Sequence, residues 1–196
     1  MDPLTTAGLT LIIGSISYGV YKFSRKKRFW KCTSTDVKYA FTKTEESPKQ
    51  KVIDAIEGSR KSLDIAMFLF TEKDIAEHIC KATKRGINIR VISDRLQSNN
   101  IPNQKENLMR FIHSGIPVKV NTHPGNMHLK IMISDETLIT TGSYNFTYPA
   151  ESKNDEVLVM IRDKDLARRW TKQFNRMWND QKQYTPYLYQ PNKRLA

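Results

Sequence analysis

Apolar residues recur along most of this chain with either the helical or the strand period, and the alternation of the two predicts the order of elements. Ser47 and Pro48, a capping residue followed by a proline in the first turn, open a helix. Its apolar face carries Val52, Ile53 and Ile56, and it closes near Gly58. Residues 62–70 form a short apolar run that reads as a buried strand. Thr71 caps a second helix, with Ile75, Ala76, Ile79, Cys80 and Thr83 at helical spacing, which stops at Gly86. Residues 87–93 alternate and are β-branched, so a strand is predicted there, followed by a polar loop over 94–102. A third helix carries Leu108, Met109 and Ile112 and ends at Gly115, and 116–120 give another strand. Strands and helices in this alternation predict parallel α/β units.

Beyond a loop at 121–126 the pattern changes to three closely spaced β runs, 128–134, 137–141 and 156–161, the last two separated by a loop over 144–155. A final helix over 164–180 bears Leu166, Trp170, Phe174 and Trp178 four residues apart, a stripe that reads as core packing. Residues 33–46 are polar and mixed, suiting a linker or an irregular strand, and the tail from Gln181 reads as a surface segment. No internal repeat is visible. The chain has room for one α/β domain, 33–196, and a short appendage.

That appendage is residues 1–32. Between Asp2 and Lys22 lie 19 uncharged, mostly apolar residues, close to the roughly 20 that cross a bilayer as a helix. A transmembrane helix is therefore expected, a cleaved signal peptide and an amphipathic helix being the alternatives. Lys22, Arg25, Lys26, Lys27, Arg28 and Lys31 follow it. By the positive-inside rule they would hold a single-pass, membrane-anchored chain with its larger domain on the cytoplasmic side. The formal net charge of +12 points to polyanionic partners, nucleic acid or an anionic membrane face, without choosing between them. Cys32 and Cys80 are too few for a disulfide framework or a Cys-rich zinc site.

Candidate chemistry is concentrated between His128 and Asn145, read as a hairpin. In a strand, His128, Lys130 and Met132 share one face, while Leu129, Ile131 and Ile133 share the other and point to a core. Asp135 and Glu136 fall where a tight turn would reverse the chain, and the return strand brings Gly142, Ser143 and Asn145 beside His128. Gly142 would allow close backbone approach to a ligand. An imidazole, an ammonium, a hydroxyl, an amide and backbone N–H groups are what phosphodiester cleavage requires: a nucleophile or base, and donors for the non-bridging oxygens.

His-x-Lys, Asp135 five residues after Lys130, and Gly142-Ser143-Tyr144-Asn145 after six more resemble the HKD motif of the phospholipase D superfamily. Glu156 stands eleven residues past Asn145, where that superfamily places an acidic residue near its histidine. The resemblance covers roughly residues 47–180 and implies a mixed sheet flanked by helices. It implies His128 as nucleophile, forming a phosphohistidine, with the histidine of a second motif as general acid and then base. Lys130 and Asn145, helped by Ser143, are implied to hold the phosphate oxygens, Glu156 to orient the imidazole, and Asp135 to pin the turn. No metal or other cofactor is implied.

Only one His-x-Lys exists here, since His78, His113 and His123 have other sequels. A symmetric homodimer with one composite active site is therefore predicted. The chain looks like the Nuc-type bacterial endonucleases and the Zucchini or mitochondrial phospholipase D group, although nothing near Cys32 matches the latter's zinc-binding insertion. Two substrates follow: single-stranded RNA or DNA, cleaved by an endonuclease, or an anionic phospholipid such as cardiolipin. For a lipid, Tyr144, Phe146, Tyr148 and Pro149 would line an acyl entrance; for a nucleic acid the same aromatics would stack bases.

Overall fold

Residues 35–188 are described by the computed structural model of the chain. The first strand, β1 (Asp36–Phe41), occupies the segment read as a linker or an irregular strand, and its burial alternation is weak because it lies at a sheet edge. Ser47 then caps α1 (Pro48–Gly58), its side chain accepting from Gln50 N. Next come β2 (Ser62–Met67), α2 (Lys73–Lys84) and β3 (Asn88–Ser93). The polar run after β3 is not a loop. Asp94 accepts from Gln97 N and starts a short helix, α3 (Arg95–Asn100), before α4 (Pro102–His113) and β4 (Val118–Asn121).

The second half consists of β5 (Lys130–Ser134), β6 (Leu138–Gly142), α5 (Tyr148–Ser152), β7 (Val157–Arg162), α6 (Lys164–Asn179) and β8 (Tyr184–Pro186). The described strands form one sheet in the order β1-β7-β6-β5-β2-β3-β4-β8. β2, β3 and β4 are parallel, as the βαβ pattern required, and all other pairings are antiparallel. The tail thus contributes an edge strand, β8, where a surface segment was expected.

A sheet buried on both faces needs apolar residues at both parities. Leu63, Ile65, Val91 and Met132 pack with Val52, Ile56, Ile79 and Phe111 of α1, α2 and α4 on one face. Ala66, Ile92, Ile131, Ile133 and Ile139 pack with Ala167 and Phe174 of α6 on the other. The α6 stripe is core packing in part: Phe174 is buried, and Trp170 and Trp178 lie partly buried against the same cluster. Arg90 reaches between Phe174 and Trp178 and forms a two-pronged ion pair with buried Asp64, both contacts 2.7 Å.

The membrane-anchored, single-pass placement is not sustained. Among the described residues no helix is long and apolar enough to cross a membrane. The longest, α6, has 16 residues and a charged face, whereas a crossing helix needs about 20 apolar ones. The apolar segment 3–21 and its basic flank, on which that expectation rested, lie outside the described residues, as does Cys32.

Candidate active site

Strand direction brings the candidate residues together. β2, β3 and β4 end at one edge of the sheet, β6 ends there too, and β5 and β7 begin there. Lys130 opens β5 opposite Met67, the last residue of β2, and Met67 is in turn opposite Ser93, the last of β3. Carboxyl ends of parallel strands are where open α/β sheets place their ligands.

His128 is exposed and lies just ahead of β5, in a segment held to β2 by Phe68 N donating to Leu129 O at 2.9 Å. The Lys130 ammonium donates to the His128 carbonyl at 3.1 Å and lies 3.3 Å from Nε2 and 3.4 Å from Nδ1. Being almost equidistant from the two nitrogens, it contacts the ring and not one lone pair. The Phe68 ring completes the cluster, 4.5 Å from the imidazole centre, with the ammonium 5.1 Å above its face. Burial lowers the Lys130 pKa, against a smaller upward pull from the Glu156 carboxylate. A cation that is partly desolvated and only weakly countered is prepared to receive a phosphate.

Asn145 sits in a loop laced to the end of β2. Phe146 N donates to Leu69 O, and Thr71 N and Glu72 N both donate to Phe146 O. The Asn145 Oδ1 accepts from Leu69 N at 3.3 Å, which leaves its NH2 group as the outward donor. Ser143 is exposed, and its oxygen accepts from Val157 N at 3.1 Å while its own O–H remains free to donate. Gly142 serves the hairpin instead of a ligand. At φ 141° a Cβ would stand 2.1 Å from the Val157 carbonyl oxygen, so the close approach is to β7. Glu156 immediately precedes β7, accepts from Asn154 Nδ2 at 3.1 Å, and is near enough to Lys130 to perturb it.

Asp135 is elsewhere. It lies seven residues beyond His128, roughly 20 Å along the strand, and with Glu136 takes positive φ (54° and 53°) in the β5–β6 turn. Its carboxylate accepts from the backbone N–H groups of Arg60, Lys61 and Ser62 at 2.9, 2.7 and 2.9 Å, tying the turn to the α1–β2 connection. Those three donors hold its pKa down against the opposing effect of burial.

Three sequence expectations change. Leu129 is half-exposed and not in the core. Tyr144 and Phe146 are buried in the core and cannot line an entrance. The Tyr144 hydroxyl donates to Glu151 at 2.7 Å, and that carboxylate also accepts from Ser47. Apolar access lies instead on the α6 side, in a cleft of about 400 Å³ where His128 and Lys130 border Leu129, Ile131, Trp170 and Met177. Of the other histidines, His78 contacts Glu57 at 2.9 Å and His123 stands edge-on to Tyr184. Phe68 was missed. Its signal was present, an aromatic at the carboxyl end of a central apolar run.

Comparison with known proteins agrees with this geometry. Residues 52–178 match the family described as "Cardiolipin synthase, PLD-like domain". The human mitochondrial cardiolipin hydrolase is 30% identical over 149 residues, 76% of this chain and 58% of that protein. The Chlamydomonas reinhardtii mitochondrial cardiolipin hydrolase is 28% identical over 148 residues, 76% of this chain and 64% of the relative. This chain thus spans about six-tenths of the length of these relatives. Among solved structures, Nuc from Salmonella typhimurium, a phospholipase D family member, superposes with a TM-score of 0.72 at 28% identity, covering 80% of this chain and all of that one. The mixed sheet, the residues gathered at its edge and these matches together establish that the chain belongs to the PLD-like domain family of the phospholipase D superfamily.

Proposed function

We propose that the chain is a metal-independent phosphodiesterase that cleaves nucleic acid, most effectively single-stranded RNA or DNA. The observation that carries this reading is the exposed His128 imidazole in contact with the Lys130 ammonium, to which no carboxylate among the described residues is bonded, with Asn145 held just past the end of β2 by Leu69 N. A ring nitrogen of neutral His128 attacks phosphorus, forming a P–N bond as the P–O bond to the leaving group breaks. Lys130, the Asn145 NH2 and the Ser143 hydroxyl donate to the non-bridging oxygens, whose charge grows in the transition state.

The departing oxygen needs a proton, and a second imidazole must supply it. A twofold homodimer would bring His128 of a second copy to that position. That imidazole then takes a proton from water, whose oxygen attacks phosphorus, breaks the P–N bond and restores His128. Glu156, beside Lys130, would limit the net positive charge of the assembled site and orient an imidazole. The basic composition supports nucleic acid, because phosphate contacts dominate such affinity. Hydrolysis of an anionic phospholipid such as cardiolipin is the second reading, favoured by the apolar cleft bordering His128 and by the names of the relatives.

Labelled single-stranded oligonucleotide and cardiolipin vesicles, each incubated with the protein in EDTA, test both readings. Oligonucleotide cleavage that disappears in His128→Ala is expected. Full cleavage by that variant would remove His128 from the mechanism, and exclusive turnover of cardiolipin would replace the first reading with the second.

A further inference from the structure

A cation that this reaction leaves unused stands at the same end of the sheet. Arg95 follows Asp94 directly off the carboxyl end of β3. Asp94 is buried and both of its oxygens are committed, Oδ1 accepting from Gln97 N at 3.0 Å and Oδ2 from Met127 N at 2.9 Å. The second bond ties the end of β3 to the residue before His128. Arg95 and His128 therefore each lie one residue from the two ends of a single hydrogen bond. Lys130, Met67 and Ser93 form one row across β5, β2 and β3; His128 lies two residues before that row and Arg95 opens α3 two residues after it, at the same end of the sheet. Two strand spacings of about 4.8 Å each separate β5 from β3 in that row.

The Arg95 backbone N–H donates to Asn121 Oδ1 at 2.9 Å, which fixes the main chain. Its side chain forms no ion pair among the described residues, and its Nε is buried without a hydrogen-bond partner. Arg90, also partly buried, has Asp64 as its partner. A permanent cation with a desolvated, unused donor is unfavourable unless something else completes it. Its planar fork of N–H groups matches the oxygens of a phosphate.

We infer that Arg95 binds a second phosphate, that of the nucleotide next to the scissile one, and so makes the site selective for a polynucleotide over an isolated phosphodiester. This inference rests on the nucleic-acid reading given above. A polynucleotide presents a neighbouring phosphate at each step, and the basic chain favours such a ligand.

The test compares the full chain with Arg95→Gln and Arg95→Ala on two substrates, a single-stranded oligonucleotide and bis(4-nitrophenyl) phosphate, a diester with no neighbouring phosphate. The ratio of kcat/KM for the oligonucleotide to that for the small diester should fall by about tenfold or more in both variants, as expected for losing one charge-assisted contact. In a His128→Ala background, which separates binding from cleavage, the slope of log affinity against log salt should drop in magnitude by about one. An unchanged ratio and slope would overturn the inference, as would an equal loss on both substrates, which marks a structural role. A loss confined to cardiolipin vesicles would assign the second phosphate to a lipid and overturn it as well. Should the wild type cleave neither diester, the catalytic reading fails, and the salt slope still decides for or against Arg95.

Discussion

Replacing Asp135 by asparagine should damage stability and spare chemistry, although the residue belongs to the motif that carries the family resemblance. Asparagine tolerates the left-handed backbone at φ 54°, so the change isolates the carboxylate. Two of the three amide donors, Lys61 and Ser62, meet Oδ1 and can keep a neutral oxygen. Each bond weakens from the charged range of about 1.5–3 kcal/mol toward about 1 kcal/mol. The third donor, Arg60 N, bonds Oδ2 and would instead face an NH2 group. The sum is roughly 3–4 kcal/mol, reduced to about 2 kcal/mol because the turn is partly exposed and water can replace a partner. For a domain of this size that lowers Tm by about 4–8 °C.

The pH dependence has a defined sign. The folded pKa of Asp135 is depressed below its ordinary value of 3.8. Its contribution is therefore present in full above that value and is lost as pH falls through the lower folded pKa. Thermal unfolding followed by circular dichroism from neutral to acid pH should show wild type and Asp135→Asn far apart at neutrality and converging in acid. Cleavage assayed well below the transition should keep wild-type kcat. A variant with unchanged Tm and abolished kcat would refute this assignment and return Asp135 to the active site.

Other substitutions probe the remaining geometry. Gly142→Ala forces a Cβ to 2.1 Å from the Val157 carbonyl oxygen and should cost about 3 kcal/mol or more, seen as a large Tm loss; a stable, well-folded variant would contradict the described β6–β7 approach. Lys130→Arg should move the alkaline limb of kcat/KM upward. Burial lowers the lysine pKa from 10.5, so the wild type loses its ammonium, and activity, as pH rises through that reduced value, whereas a guanidinium stays charged; identical limbs would mean that another group titrates. Asp64→Asn leaves the Arg90 charge without its partner and should destabilise by about 2–3 kcal/mol, discounted for the exposed part of Arg90, as read by denaturant unfolding with unchanged m-value.

Much of the architecture was legible because apolar periodicity reports burial directly. The segment 62–70 read as a strand because both sheet faces are covered, and the stripe on α6 read as core because Phe174 fills the second face. Short elements fixed by tertiary contacts were not legible. β1 and β8 are edge strands that pair through backbone groups and need little apolar pattern, and α3 owes its start to one Asp94 bond. Motif spacing gathered His128, Lys130, Ser143 and Asn145 at one end of the sheet. The resemblance also had Asp135 pinning the turn, but spacing could not tell that Gly142 serves the β6–β7 approach or that Phe68, just past the end of β2, packs on the imidazole. Sequence separation hides such neighbours, since strand order and not chain order sets them. The membrane placement failed for a related reason: it was read from composition in 3–21, outside the described residues, and no described helix supplies a span.

His128 itself is assigned the attack on phosphorus, and the phosphohistidine it would form can be trapped. Protein mixed with excess single-stranded oligonucleotide and quenched in base, where a phosphoramidate survives, can be digested and analysed by mass spectrometry. A covalent adduct bearing one product fragment is expected on the peptide that contains His128, absent in His128→Ala. An adduct on another residue, or rapid cleavage with no adduct at any time point, would contradict it.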